Sequence, residues 1–234
     1  MNERLRLIYS LIEPGTGVID VGTDHGYIPC ALAQNGYEGN IIASDINEDP
    51  LKSAVRSAEL CGVEKKIKFT VSDGLCDCNP DEIDTIIIAG MGGDTICSVL
   101  DRAEWCLNGK YQLILQPMTK KEVLRFWLVN NGFDKLDEYI AIDCGKIYQV
   151  IKTGFTGKNS PYTDAELFTG KFDPEADHFH EMLDCEMARA EKRLAGLISG
   201  QADEAILNFN RCIVEDMHRK KEQLNRYDKS RGYL

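Results

Sequence analysis

Short apolar runs alternate with helical segments along residues 5–153, and this alternation limits the folds that the chain can adopt. Five of the runs are mainly apolar, as expected of strands that are buried on both faces of a sheet. Repeated strand–helix–strand units predict an α/β fold with a parallel, doubly wound sheet and right-handed crossovers. The strand patterns span 17–21, 40–45, 66–73, 84–90 and 111–117, and helical patterns lie between them at 26–36, 48–61 and 119–131.

The end of this region predicts a different kind of pairing. Residues 133–143 and 146–155 are two further strand patterns joined by a short turn that contains Gly145, which indicates a β-hairpin. The sheet is therefore expected to begin parallel and to end antiparallel. This ending resembles the Rossmann-like sheet of class I methyltransferases, which use S-adenosylmethionine, and differs from plain dinucleotide-binding folds.

The remainder of the chain is predicted to be helical. After a segment with proline, glycine and serine at 153–164, apolar residues recur every three or four positions along 174–198 and again along 203–227. This pattern predicts two amphipathic helices that pair as an antiparallel, coiled-coil-like α-helical hairpin. We expect a methyltransferase-like domain at 1–155, followed by a linker and the helical hairpin at 156–234.

Charge and hydropathy narrow the classes of function. The net charge of −11 argues against a nucleic-acid-binding protein, but residues 217–234 carry six basic and two acidic side chains. Because binding depends on local patches, the acidic total does not exclude an RNA partner. No apolar run approaches the roughly 20 residues that cross a bilayer, and the N-terminus has no signal-peptide core. We expect a cytoplasmic protein without membrane contact, and favour a monomer.

The cysteines do not predict a metal site. The nine cysteines are scattered without a C-x-x-C pair, and the four histidines do not complement the one close pair, Cys76 and Cys78. Metal sites require clustered ligands. We therefore expect reduced thiols and no bound metal.

The loop that follows the first strand is the first candidate site. In the sequence D-V-G-T-D-H-G, which begins at Asp20, the glycines Gly22 and Gly26 allow the backbone to approach a ligand. A dinucleotide site would have glycine at Asp24, because a carboxylate repels pyrophosphate. The same carboxylate attracts the sulfonium and ammonium groups of S-adenosylmethionine. The alternative is a tight turn without a ligand.

Two further carboxylates end strands of the predicted sheet. Asp45 is placed to accept hydrogen bonds from both ribose hydroxyls of an adenosine ligand, in an NAD site as well as in an S-adenosylmethionine site. Asp73 is placed to accept from the adenine amino group, a position that NAD sites seldom use. Together they favour S-adenosylmethionine; the alternative for Asp73 and Gly74 is an ordinary turn.

Two more motifs end the fourth and fifth strands, A-G-M-G-G-D at 89–94 and L-Q-P-M-T-K-K at 115–121. All of these sites lie at carboxyl ends of strands, where ligands of open α/β sheets bind.

The motifs together resemble a known family. D-V-G-T-D-H-G-Y-I-P, I-I-I-A-G-M-G-G, L-I-L-Q-P and G-K-I-Y-Q-V-I, in this order and before a helical hairpin, resemble the bacterial tRNA (adenine-22-N1)-methyltransferase family. The resemblance implies methylation of N1 of adenine 22 in the tRNA D-loop, with S-adenosylmethionine as cofactor. This chain departs from the family at Met118, where asparagine is expected after Gln-Pro. Cofactor-binding residues are expected at Asp20, Gly22, Asp24, His25, Gly26, Asp45, Asp73, Gly74, Gly90 and Met91.

The chemistry of that reaction suggests catalytic candidates. Adenine N1 is a nucleophile once the base is unstacked, so aligning N1 with the methyl group matters more than a strong general base. Because the methylated base is cationic, a carboxylate would stabilise the transition state, and Asp24 and Asp94 are the candidates. Gln116 is predicted to contact an adenine edge, and His25 either stacks on the base or fixes the loop. Phosphate contacts are expected at Lys120, Lys121, Arg125, Arg219, Lys220 and Lys221, with solvated helix faces as the alternative.

Three other functions remain open at this point. A small-molecule methyltransferase of the same fold has no evident need for the helical hairpin. A non-catalytic module that senses S-adenosylmethionine would use the hairpin to bind protein. An NAD-dependent oxidoreductase is disfavoured by Asp24 and by the terminal antiparallel strands.

Overall fold

The computed structural model describes residues 1–15, 17–171 and 175–231. The chain divides into two compact units, Met1–Pro161 and Tyr162–Leu234. The boundary between residues 155 and 156 that the sequence suggests stays a prediction.

The first unit contains a seven-stranded sheet. Its strands are β1 (Gly17–Val21), β2 (Asn40–Asp45), β3 (Lys68–Val71), β4 (Thr85–Gly92), β5 (Gln112–Thr119), β6 (Leu136–Asp143) and β7 (Lys146–Gly154). Their order across the sheet is β3-β2-β1-β4-β5-β7-β6. The first five strands pair in parallel, and β7 pairs antiparallel with both β5 and β6. The predicted parallel sheet with an antiparallel ending is confirmed.

The turn between β6 and β7 explains how the sheet changes direction. Cys144 has φ +48° and Gly145 has φ +74°, so both residues of the turn are in the left-handed region. Two-residue hairpin loops with this backbone match the right-handed twist of the flanking strands.

Helices cover the sheet of the first unit. They are α1 (Glu3–Ser10), α2 (Tyr27–Gln34), α3 (Glu48–Leu60), α4 (Gly93–Asp101) and α5 (Lys121–Asn130). Ile8 of α1, Ile28 of α2 and Ala58 of α3 share one buried cluster with Val18 and Ile87 of the sheet. Helices α4 and α5 pack against each other and against β5.

The sequence predicts a helix around Cys97 without giving its bounds, and helix α4 confirms it. The sequence suggested a glycine turn at 89–94, but the helix begins within it at Gly93. A Cβ at Gly93 would lie 2.1 Å from the carbonyl oxygen of Lys120. Glycine, a poor helix former, is therefore required here by a close backbone approach, and it masks the start of the helix in the sequence.

The second unit is helical, with α6 (Asp164–Thr169), α7 (Phe179–Ser199) and α8 (Glu204–Arg231). The two long helices pack against each other, which confirms the predicted pair of C-terminal helices. Ala190 of α7 and Ile213 and Met217 of α8 form the core with Ala165 of α6. Helix α6 was not predicted.

Candidate active site

A cavity of about 350 Å³ lies at the carboxyl edge of the parallel strands. The end of β1, the β1–α2 loop (residues 22–26), the start of α2 and the start of α1 form its walls. Arg4 and Tyr27 line it and were not predicted. The predicted residues that line it are Asp20, Gly22, Asp24, His25, Gly26 and Gly90. In the part of the chain that the structure describes, its lining does not include Asp45, Asp73, Gly74 or Met91.

The backbone of the β1–α2 loop is fixed against β2. The N–H groups of Gly22 and Thr23 both donate to the carbonyl oxygen of Ser44, at 2.8 and 2.9 Å. Gly22 has φ +75°, and a Cβ on it would lie 2.2 Å from Cε of Met91. The backbone conformation therefore favours glycine at this position, and a side chain would also displace the methionine. Contact of Gly22 with a cofactor stays a prediction.

Asp20 supplies a buried carboxylate to the cavity. It lies on β1 between Ala43 of β2 and Ile87 of β4 and is 8% exposed. Burial raises the pKa of Asp20 to about 6, while a hydrogen bond with the Thr23 side chain and the charge of Arg4 act to lower it. A carboxylate in this setting is stabilised by any cationic group that enters the cavity.

The side chains of Asp24 and His25 in the β1–α2 loop, and of Tyr27 at the start of α2, are open to solvent. Nε2 of His25 lies 3.3 Å from Oδ2 of Asp24, whose side chain is 74% exposed. The rings of His25 and Tyr27 lie 5.5 Å apart between centroids, at 43°. The sequence analysis did not identify Tyr27 as a site residue, although an aromatic residue directly after the glycine loop was an available signal.

Gln116 connects three elements around the cavity. Its Oε1 accepts from Nη1 of Arg4 at 2.6 Å and from the N–H of Gly90 at 3.2 Å. Its Nε2 donates to the carbonyl oxygen of Pro117 at 3.0 Å and approaches Sδ of Met118 at 3.5 Å. Gln116 is fully buried, so it ties α1, β4 and β5 together, and its contact with a base stays a prediction.

The sequence pattern does not identify Arg4 as a cavity residue. Its partner Gln116 is 112 residues away in sequence, so no local pattern relates them. The Arg4 guanidinium also lies over the Tyr148 ring, 5.6 Å from its centroid.

The two predicted adenosine-binding carboxylates have protein partners. Oδ1 of Asp45 accepts from the N–H of Asn47, the residue before α3, at 2.8 Å. Both oxygens of Asp73 pair with the guanidinium of Arg102, which follows α4. This ion pair lowers the pKa of Asp73 and keeps the carboxylate charged. The contact of Asp45 with ribose and that of Asp73 with adenine stay predictions.

Asp94 and Lys120 form an exposed ion pair at the same edge of the sheet. Lys120 Nζ lies 2.7 Å from Asp94 Oδ2, which lowers the pKa of Asp94 and raises that of Lys120. Lys120 has φ +52°, an unusual conformation for a residue with a side chain, and it begins the turn into α5. The catalytic role of Asp94 stays a prediction.

The predicted phosphate contact of Arg125 is wrong. Arg125 and Glu138 both have side chains that are 0% exposed, and Nη2 of Arg125 lies 2.6 Å from Oε2 of Glu138. The guanidinium also donates to Oε1 of Gln149 at 2.7 Å. A fully buried arginine with these partners cannot meet RNA. Lys121 is buried as well, so Lys120 is the exposed residue of the three.

Basic residues of α8 take part in ion pairs and hydrogen bonds within the second unit. Lys220 donates to Oγ1 of Thr169 at 3.3 Å, and Lys221 lies 2.8 Å from Asp184. Arg219 pairs with Asp216 and keeps an exposed side chain. Their contacts with RNA stay predictions.

The described residues contain neither a metal-binding cluster nor a membrane-spanning helix. No group of three or more histidine, cysteine, aspartate or glutamate side chains in the described ranges is arranged to hold a metal ion. None of the helices described is both long and apolar enough to span a membrane.

The strand order, with its antiparallel ending and a cavity beside an acidic, glycine-containing loop, defines a class I methyltransferase. Residues 1–151 match the family model described as a methyltransferase domain. The chain is also 34% identical over 170 residues to the tRNA (adenine(22)-N(1))-methyltransferase of Bacillus subtilis, which covers 73% of this chain and 71% of that protein. The chain belongs to the tRNA (adenine(22)-N(1))-methyltransferase family.

Solved structures agree with this assignment. The crystal structure of the Bacillus subtilis m1A22 tRNA methyltransferase has a TM-score of 0.75 and 27% identity, with 97% of each chain covered. A Streptococcus pneumoniae protein in complex with S-adenosyl-L-methionine has a TM-score of 0.77 and 27% identity, with 93% of this chain and 99% of that chain covered.

Proposed function

We propose that this protein transfers the methyl group of S-adenosylmethionine to N1 of adenine 22 in tRNA. The observation that carries the proposal is the 34% identity with the Bacillus subtilis enzyme of that specificity, over 170 residues. The cavity and its charged lining support the use of S-adenosylmethionine independently. We place the reaction in the cytoplasm, with tRNA as partner, without membrane or metal, and with the protein as a monomer.

The cavity residues fit the cofactor. Asp20 and Asp24 place negative charge beside the loop, which favours the sulfonium and ammonium groups. Gly22 and Gly26 both have positive φ and line the cavity, so the loop adopts this turn without the strain that a side chain would cause. S-adenosylmethionine supplies an electrophilic methyl group. Asp45 and Asp73 would hold its ribose and adenine, with Asp73 kept ionised by Arg102.

The exposed rings fit a base that has left its stack. Extruding a nucleotide costs a few kcal/mol, which contacts inside the enzyme must offset. His25 and Tyr27 present aromatic rings at the cavity, and stacking contributes about 1–3 kcal/mol per base. We therefore assign these rings to adenine binding.

Asp24 is the preferred catalytic carboxylate. It lines the cavity, and its side chain is exposed, so it is available to the positive charge that develops on the adenine ring. Asp94 is already neutralised by Lys120, and Gln116 is buried. We assign Asp94 and Gln116 to holding the surrounding elements.

The tRNA backbone requires positive charge outside the cavity. Lys120 is exposed at the carboxyl edge of the sheet, and Arg219 is exposed on α8. With a net charge of −11, the protein depends on such local sites, so binding should weaken as salt increases.

Methylation of defined tRNA transcripts tests the proposal. The full-length protein is incubated with labelled S-adenosylmethionine and an unmodified tRNA that has adenine at position 22. A matched transcript with guanine at that position is the control. We expect label in the first transcript alone and a reverse-transcription stop at position 22, because N1-methylation blocks the pairing edge.

Other outcomes would favour the alternatives. Binding of S-adenosylhomocysteine without labelling of either transcript would favour a small-molecule methyltransferase or a sensing module. Binding of NAD but not of S-adenosylhomocysteine would favour an oxidoreductase.

A further inference from the structure

The parallel pairing of β4 with β5 is interrupted where the two strands reach the cavity. The register shifts on both sides of Met91, and the shifts leave one extra residue on each strand, Gly90 on β4 and Met118 on β5. Both extra residues line the cavity. An extra residue bends its strand and re-aims a side chain, and such bulges are common beside active sites. The irregular strand ends therefore direct Met118 toward the space in which the reaction is proposed to occur.

The side chain of Gln116 holds both extra residues. Its Oε1 accepts from the N–H of Gly90 at 3.2 Å, and its Nε2 lies 3.5 Å from Sδ of Met118. Nε2 also donates to the carbonyl oxygen of Pro117, directly before Met118, at 3.0 Å. Because Gln116 is fully buried, these contacts are protected from water. Met118 is thus anchored near its sulfur, although it is 47% exposed.

We infer that Met118 contacts the extruded adenine and packs its thioether against the face of the base. The inference rests on the proposed methylation of tRNA. Methionine sulfur makes favourable contacts with aromatic rings, and the flexible side chain adapts to a flat surface. Since Met118 is half-exposed in the wall of the cavity, a base that enters can remove its apolar surface from water.

The order of the strands separates this contact from the cofactor. The carboxylates assigned to S-adenosylmethionine belong to β1 and β2 or follow β3, and these strands lie on one side of β4. Met118 belongs to β5, on the other side of β4. A thioether carries no charge and is only a weak hydrogen-bond acceptor, so it offers little to the charged groups of the cofactor. The uncharged ring of the target base suits it better.

A double-mutant cycle between the side chain and the base tests the inference on the full-length protein. Binding of two tRNA transcripts is measured with saturating S-adenosylhomocysteine, one with adenine at position 22 and one without a base there. Met118→Ala should weaken binding of the adenine transcript about fivefold and leave binding of the abasic transcript unchanged. The affinity for S-adenosylhomocysteine should also stay unchanged.

Three further variants provide controls. Met118→Leu keeps an apolar side chain of similar size and should retain most of the coupling to the base. Met118→Gln has a similar length, but its amide must leave water when the base covers it, so the coupling should be lost. Val123 is also exposed and lies outside the cavity lining that the described residues form. Val123→Ala should therefore show no coupling to the base.

Three outcomes would overturn the inference. Equal weakening of both transcripts by Met118→Ala would show that the side chain acts on the RNA backbone or on the fold. A loss of affinity for S-adenosylhomocysteine would assign Met118 to the cofactor. Equal coupling in Met118→Leu and Met118→Gln would exclude an apolar contact, and this comparison decides the question even if Met118→Ala fails to fold.

The same transcripts distinguish a failure of the inference from a failure of the proposed function. If the adenine transcript is neither bound nor labelled by the wild-type protein, the proposed function is rejected and the inference with it. Labelling of the adenine transcript without coupling between Met118 and the base rejects the inference alone.

Discussion

Replacing Glu138 by alanine removes the carboxylate from the buried ion pair that joins α5 to β6. Nε and Nη2 of Arg125 lie 2.9 and 2.6 Å from the same oxygen of Glu138, and both side chains are inaccessible to water. The variant leaves a guanidinium in a low-dielectric site without its counter-charge. Breaking a buried pair in this way costs about 3–5 kcal/mol. For a unit of this size, the Tm should fall by about 6–20 °C.

Tryptophan fluorescence during urea unfolding measures this effect. Trp105 and Trp127 are the two tryptophans of the chain, and both lie in the first unit, so the signal reports the unit that contains the pair. Trp127 is on α5 itself.

Two comparisons decide between the buried charge and general damage. Arg125→Met/Glu138→Leu should recover most of the stability, because apolar side chains avoid the unpaired charge. Lys52→Ala removes an exposed pair with Glu48 and should leave the urea midpoint unchanged. A loss below about 1 kcal/mol in Glu138→Ala, or a double variant as unstable as the single one, would refute the reasoning.

Three more variants test other parts of the first unit. Gly22→Ala should weaken S-adenosylhomocysteine binding by about tenfold or more in calorimetry. Gly36→Ala is the control, because Gly36 has the same φ of +75° but open space around it. Equal losses of affinity in the two variants would reject the steric argument. Asp20→Asn should stabilise the protein by roughly 3 kcal/mol above pH 6. Because the pKa of Asp20 is raised from 3.8 to about 6, the wild type loses stability as the pH rises through that window. The gain should therefore shrink toward pH 4 in urea titrations, and a gain independent of pH would contradict it. Lys120→Glu should raise the KM for tRNA several-fold without changing the affinity for S-adenosylhomocysteine. Lys65→Glu makes the same charge change before β3 and should leave the KM for tRNA unchanged. Equal increases in both variants would show that net charge alone is responsible.

The elements that the sequence predicted best are the ones with the simplest environment. The predicted bounds of β1 and β2 match the structure residue for residue, because strands buried on both faces have mainly apolar sequences. Helix α6 was missed since its six residues are too short for a periodic pattern. Its signal is local, in the reciprocal capping bonds of Thr163 and Glu166.

The residues of the active site also differ in how well the sequence predicts them. Loop residues such as Gly22 and Asp24 are close in sequence, so their motif predicts a shared cavity. Arg4 required knowledge of its distant partner Gln116. Arg125 was misassigned because a basic residue on a helix is usually solvated, and its burial depends on Glu138, which arrives from β6.

The position of β7 has a consequence for how the chain folds during synthesis. Since β7 lies between β5 and β6, the edge of β5 stays unpaired until residues 146–154 have left the ribosome. An open strand edge is a template for aggregation. The β6–β7 hairpin closes across two residues, so it can form locally and then dock onto β5 as one piece. A nascent chain that stops before Lys146 should therefore be aggregation-prone. Addition of the nine residues of β7 should reduce its aggregation.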